Sequence, residues 1–168
     1  GAQVVFTADL SAPAQDTTDG TSLPTLYWRD FSSDELQSLP ASAGRTGLAS
    51  ISENADWIVF EASGPLQAGE PERQNIYAFQ ISTQTLHLAS RPERTDIAVG
   101  GQSLLGSISA NGRWVAFWSF VNLTSDDSAC DNAHEGGNRC GDVFIYDTTD
   151  GSLQRVAIGE VDAIGNTL

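Results

Sequence analysis

Ile51 to Phe60 reads I-S-E-N-A-D-W-I-V-F, and Ile108 to Phe117 reads I-S-A-N-G-R-W-V-A-F. The two stretches align without a gap at an offset of 57 residues, with Ile, Ser, Asn, Trp and Phe identical. A shortened copy, G-A-Q-V-V-F, opens the chain at Gly1 to Phe6. Self-similarity at such a period marks one supersecondary unit used in tandem, so it decides the fold before any local propensity does. A second motif repeats behind it: Thr25 to Asp30 (T-L-Y-W-R-D), Asn75 to Gln80 (N-I-Y-A-F-Q) and Asp142 to Asp147 (D-V-F-I-Y-D). Each of these is followed by one more strand-like stretch, at Glu35 to Leu39, Thr85 to Ala89 and Ser152 to Ala157.

These segments are rich in β-branched and aromatic residues and are punctuated by turn chemistry. Asn111-Gly112 and Asp150-Gly151 each separate two such runs and predict hairpins. Asp34-Glu35-Leu36 reads as a tight turn into the strand ending at Leu39. No stretch carries sustained helical periodicity. A full unit therefore holds four antiparallel strands. In the last unit these are a short one at Ile108, then Trp114 to Phe120, Asp142 to Asp147, and Leu153 to Ala157. One twisted four-stranded sheet has two apolar faces and buries neither alone, whereas sheets stacked face to face bury both. The expected fold is all-β: a single β-propeller segment over residues 1–168, with blade-like units at 1–46, 47–104 and 105–168. Phe6, Phe60 and Phe117 are expected to pack between blades, with Val4, Ile58 and Val115 on the same side of the strand. Trp57 and Trp114 face the other way with Val59 and Ala116.

The chain has 22 Asp and Glu against 8 Lys and Arg, a net charge of −14. Nucleic-acid binding needs a basic surface, and adsorption on anionic lipid does too, so both partners are disfavoured. No apolar run approaches the roughly 20 residues of a membrane span, which disfavours membrane insertion. There is no Met. The first copy starts inside a repeat, and the last stretch matches an inter-unit linker. The expectation is a fragment of a longer array.

Cys130 and Cys140 lie in the longest loop between repeated motifs, Val121 to Gly141. A disulfide closing this loop leads over free thiols and over metal ligation, which lacks the four tightly spaced ligands that zinc wants. With a disulfide, the protein belongs to an oxidising compartment, periplasmic or secreted. The same loop carries Asp126, Asp127, Asp131, Asn132, Glu135 and Asp142. Asp126, Asp127, Asp131 and Asp142 are candidate calcium ligands, since calcium takes roughly six to eight hard oxygens. The competing reading is that these carboxylates cap turns by accepting backbone N–H bonds. His87 sits in an alternating strand pattern and His134 in the cysteine loop. With no G-x-S-x-G elbow, neither suggests a catalytic triad.

The stretch S-I-S-A-N-G-R-W-V-A-F, then N-L-T-S-D-D, then D-V-F-I-Y-D-T-T-D-G, resembles the TolB-type, WD-like β-propeller repeat of bacterial extracytoplasmic proteins. That family's pattern is roughly S-x-D-G-[RK]-x-[VI]-A-F, N-L, Asp, D-[VI]-[FY]-[VL]-x-D and G. Ser109, Asn111, Gly112, Arg113, Val115, Ala116 and Phe117 follow its first part, with Asn111 for Asp. Asn122-Leu123, Asp127, Asp142-Val143-Phe144, Asp147 and Gly151 follow the rest. The middle unit departs: Ala55 replaces Gly, Asn75 replaces Asp, and Gln80 replaces the last Asp. The first unit keeps Val4-Val5-Phe6, Asp16 and Asp30. The resemblance implies a segment of a propeller of roughly six or seven blades. The same repeat decorates many proteins, so it is specific for fold rather than function, and the leading expectation is a non-enzymatic protein-interaction scaffold in an exported bacterial protein. Two alternatives are the substrate-gating propeller of a prolyl-oligopeptidase-like peptidase and a calcium- or carbohydrate-binding propeller, with Trp28 or Trp118 available to stack on sugars. The loops Leu10 to Pro24, Ser63 to Arg73 and Val121 to Gly141 join equivalent strands and are expected on one rim, as the binding face. Three blades cannot close the usual ring, so self-association is a further expectation should they be the whole unit.

Overall fold

The computed structural model describes residues 3–8, 25–39, 46–93, 101–125 and 141–156. Eleven strands lie among them: β1 (Gln3–Ala8), β2 (Thr25–Asp30), β3 (Glu35–Ser38), β4 (Thr46–Ile51), β5 (Trp57–Ser63), β6 (Gln74–Gln80), β7 (Thr85–Leu88), β8 (Ser103–Ile108), β9 (Trp114–Ser119), β10 (Asp142–Asp147) and β11 (Leu153–Arg155). They form three antiparallel meanders in chain order, β1-β2-β3, β4-β5-β6-β7 and β8-β9-β10-β11. No helix occurs among the described residues. Among the described residues the first sheet has three strands, where a full unit was expected to have four. The next two sheets begin at Thr46 and Ser103, slightly ahead of the unit boundaries read from the sequence, because their first strands extend through a bulge. That bulge recurs at the same place, between Thr46 and Ala49 in β4 and between Leu104 and Ser107 in β8. At the second, Leu105 takes a φ of 60°.

The core lies between the sheets. Leu26, Trp28 and Leu39 of the first sheet pack against Ile58, Phe60, Ala62, Tyr77, Phe79 and Leu88 of the second. The opposite face of the second sheet, with Trp57, Val59, Ile76 and Ala78, packs against Val115, Phe117, Phe144 and Tyr146 of the third. The burial patterns show the consequence. Strand β5 is enclosed on both faces and is buried at six successive positions, whereas β9 alternates exposed and buried along its length.

The expected inward residues Ile58, Phe60, Val115 and Phe117 are buried. Val4 and Phe6 depart from the expectation: Val4 is 37% exposed and Phe6 half-buried. The period-2 rule places them on the face their counterparts use, but in the first sheet that face has no sheet against it among the described residues. Trp114 and Ala116 face the other way, as expected, and are exposed on the outer side of the third sheet.

The repeated S-x-N segment makes a turn with the same bonds each time. Ser52 Oγ donates to Asn54 Oδ1 (2.6 Å) and accepts from Trp57 N (3.0 Å). Ser109 Oγ does the same with Asn111 Oδ1 (2.7 Å) and Trp114 N (2.9 Å). Identical residues recur here because the turn leaves backbone donors that only a short hydroxyl and a short amide reach.

Candidate functional site

The last residue of the second-to-last strand is an anchor in every sheet. In the third sheet Asp147 Oδ2 accepts from Arg113 Nε (3.0 Å) and Nη2 (2.8 Å), while Oδ1 takes Thr149 N (2.9 Å) and Thr149 Oγ1 (2.6 Å). In the first sheet Asp30 accepts from Gln3 Nε2 (3.1 Å), Ser32 N (2.7 Å) and Ser32 Oγ (2.5 Å). These donors hold both carboxyls down to about 2, the Arg113 guanidinium leading at Asp147 and the Ser32 hydroxyl at Asp30. The middle sheet has Gln80 at this position and reverses the polarity. Asp56, in the turn before β5, supplies the carboxylate: Oδ2 accepts from Gln80 Nε2 (2.9 Å) and Oδ1 from Ser82 N (2.9 Å). Burial opposes ionisation of Asp56, but the Gln80 and Ser82 bonds outweigh it and lower its pKa. The Gln80 departure is thus compensated by Asp56, and this constellation ties the ends of neighbouring strands within each sheet.

The rim is built differently. The segment between β5 and β6 folds over Glu70, whose Oε2 accepts Leu66 N (3.0 Å), Gln67 N (2.8 Å) and the Tyr77 hydroxyl (2.8 Å). Burial, reinforced by the Glu70 carboxylate, pushes the Tyr77 hydroxyl upward, so it stays a donor at neutral pH. Asn75, fully buried, donates to the backbone oxygens of Pro71 and Arg73, each at 3.0 Å. Asn75 stands where the third unit has Asp142, and its amide gives the two donors that a carboxylate lacks.

Beside this loop lies an open groove of about 530 Å³ between the outer strands of the second and third sheets. Gln67, His87, Arg91, Glu93, Tyr146 and Leu153 line it. The Tyr146 hydroxyl is 3.3 Å from His87 Nδ1, and the His87 ring sits tilted on Trp57 at 5.5 Å. Burial lowers the His87 pKa. Glu93 is fixed by two bonds to the segment after β9: its N donates to Leu123 O (2.8 Å) and its Oε2 accepts Ser125 N (2.8 Å). Glu93 and Arg91 thus place one carboxylate and one guanidinium along the groove, together with Leu86, Leu88 and Leu153.

Of the candidate calcium ligands, Asp142 opens β10 and lies 3.7 Å from Arg155 Nη1 in an ion pair on the neighbouring strand. Asp126, Asp127 and Asp131 lie outside the described residues, as do Cys130, Cys140 and His134. Among the described residues no three His, Cys, Asp or Glu are grouped to hold a metal. Trp28 is buried in the core between the first two sheets. Trp118 is 38% exposed and lies against Phe120 at 4.9 Å. The His87–Tyr146 groove is absent from the sequence reading because its walls come from non-equivalent positions in two sheets.

Among solved structures, TolB from Acinetobacter baumannii matches with a TM-score of 0.52 and 16% identity, over 95% of this chain and 31% of that one. The chain is a β-propeller segment. It spans about a third of that TolB's length. Also similar are the tricorn protease (TM-score 0.49, 13% identity, 79% of this chain and 11% of that one) and a putative TolB from Agrobacterium tumefaciens (0.45, 19%, 79% and 40%). No family model matches the sequence, and no curated relative aligns with it. The propeller blades are therefore established from structure, with the strands β1–β3, β4–β7 and β8–β11 as their sheets.

Proposed function

We propose that this propeller segment is a non-enzymatic protein-interaction scaffold in an exported bacterial protein, periplasmic or secreted. It binds a partner at the rim bounded by the Ser63 to Arg73 loop and the His87–Tyr146 groove. The observation that supports this most is the combination of a pinned loop and an open groove. Glu70, Asn75 and Tyr77 hold the loop backbone, so its exposed side chains are presented at little entropic cost. The groove sets Gln67, Arg91 and Glu93 around Leu88 and Leu153, a mixed surface suited to an extended peptide segment. The charge of −14 favours a partner with a basic surface and speeds its encounter.

The test is site-specific photocrosslinking in a periplasmic extract, with the reactive residue at Gln67 and, as a control, at exposed Phe31. A discrete adduct at position 67 that weakens with Arg91→Glu supports the reading. Equal adducts at both positions, or none at 67, overturn it.

A further inference from the structure

Strand β7 is the edge of the middle sheet, whose order is β4-β5-β6-β7. This sheet already has another packed on each face, so the edge owes its position to the blade itself. The opposite edge strand, β4, packs against β8 of the next sheet. The two sheets splay apart from there, and the groove opens between β7 and the start of β11.

One bond fixes the direction of every backbone group along β7. Ala89 N donates to Ile76 O at 2.9 Å, and bonded pairs alternate along an antiparallel ladder. With His87 opposite Ala78 and Thr85 opposite Gln80, these two residues bond to β6, whereas Leu86 and Leu88 turn their N–H and C=O groups outward. The Leu88 side chain belongs to the core against the first sheet, and Leu86 packs on that core. Both residues nonetheless line the groove, so what they present there is backbone. An amide already sits at this edge: Gln67 Nε2 donates to Leu86 O at 3.4 Å, a long and displaceable bond of the kind a peptide N–H would make.

Two cavities meet along the edge. One, of about 530 Å³, holds His87, Tyr146 and Leu153; the other, of about 430 Å³, runs along Gly69 and Pro71. Gln67, Leu88, Arg91 and Glu93 line both. An extended chain sends successive side chains to opposite sides, so a strand laid on β7 would place alternate residues in the two cavities. Arg91 and Glu93 stand two residues apart on the shared wall. Their charges are matched by an acidic and a basic residue that are also two apart in an extended segment.

We propose that β7 takes an extended peptide segment of another protein as a fifth strand, with an acidic and a basic residue two positions apart facing Arg91 and Glu93. Main-chain bonds to Leu86 and Leu88 supply the affinity, and the two cavities and the charge pair supply the selectivity. The inference rests on the rim reading and adds to it the mode of binding and the chemistry of the partner.

The experiment selects binders from a displayed library of short random peptides on the 168-residue chain, then scans the best synthetic peptide with backbone N-methyl groups. N-methylation should weaken binding by about tenfold at alternate residues and hardly at those between. Hydrogen exchange of the Leu86 and Leu88 amides should slow on binding, and Arg91→Glu should weaken it. Leu86→Pro, which removes only an outward N–H, should weaken binding with the far-ultraviolet circular dichroism unchanged. If that variant disturbs folding, the exchange measurement on the parent chain decides. A peptide that needs Arg91 but shows no period-two loss and leaves both amides unprotected overturns strand addition and leaves the rim reading standing. Selected peptides indifferent to Arg91→Glu overturn both. Protection of the two amides that rises with protein concentration alone assigns the edge to a second copy and overturns the proposal as well.

Discussion

Asn54 Nδ2 donates a hydrogen bond to the backbone oxygen of Asn111 at 3.0 Å, and these two residues hold the same place in successive repeats. The backbone follows suit, Asn54 N donating to Ala110 O at 3.2 Å. One turn of the repeat is therefore docked on the next. The side chain of Asn54 both organises its own turn and holds the neighbouring blade, whereas the Asn111 side chain has only the first task among the described residues.

Asn54→Ala should therefore cost more than Asn111→Ala. Asn54 loses the Ser52 and Asp56 bonds and the link to the next blade, about 1 kcal/mol or somewhat more. Asn111→Ala keeps the backbone oxygen that Asn54 uses, and loses only its contacts with Ser109 and Arg113. Urea denaturation midpoints of the two variants check the order. Equal losses would mean the inter-blade bond contributes nothing.

The reversed polarity at Asp56 and Gln80 makes a charge-swap prediction. Gln80→Asp alone sets a second carboxylate against Asp56, removes the donor at 2.9 Å, and should destabilise by about 1–2 kcal/mol. Asp56→Arg with Gln80→Asp recreates the Arg113–Asp147 arrangement of the next blade and should recover most of that loss. A double-mutant cycle measured by denaturation gives the coupling, and a coupling near zero refutes the compensation.

Asp147 sets an acid limit. Its carboxyl lies at about 2 in the fold against an ordinary 3.8, so the folded state binds fewer protons than the unfolded chain between these values. Its stabilisation is full above about pH 4 and is lost as pH falls toward 2. Asp30, held at about 2 by Ser32 and Gln3, acts in the same window and with the same sign. Asp147→Asn should lower the midpoint at pH 7 and flatten its fall between pH 4 and 2, as followed by circular dichroism at each pH. An unchanged slope would show that the Arg113 pairing does not survive in solution.

The strands were legible because their residues repeat: Phe60 and Phe117, Ile58 and Val115 share a role as well as a type. Val4 and Phe6 share the type but not the burial, since burial depends on which sheet stands opposite and not on the strand itself. Gln80 counts as a departure in a column-by-column reading because its compensation, Asp56, lies in the turn before a different strand. The His87–Tyr146 groove was hidden for a related reason: it joins two blades at positions that are not equivalent, so no spacing within one repeat reports it. Of the acidic loop, only Asp142 lies within the described residues, and its ion pair with Arg155 fits the reading that ties the loop to its own blade.

Ala55 and Gly112 occupy the same turn position, and both take left-handed backbone, φ 58° and 77°. Glycine enters this region without cost, whereas alanine is strained by roughly 1 kcal/mol. Ala55→Gly is therefore expected to stabilise the middle blade by up to about 1 kcal/mol, offset in part by the greater freedom of glycine in the unfolded chain. The reverse change, Gly112→Ala, adds the strain and also sets a methyl carbon 2.5 Å from Trp57 Cδ1, inside contact distance. Its cost should exceed that of Gly69→Ala, where φ is 85° but no atom lies within 4 Å. Denaturation midpoints of the three variants separate backbone strain from blade contact: Gly69→Ala reports the first, and the excess at Gly112→Ala the second. A Gly112→Ala protein no less stable than Gly69→Ala would mean that Trp57 does not seat against the turn of the next blade.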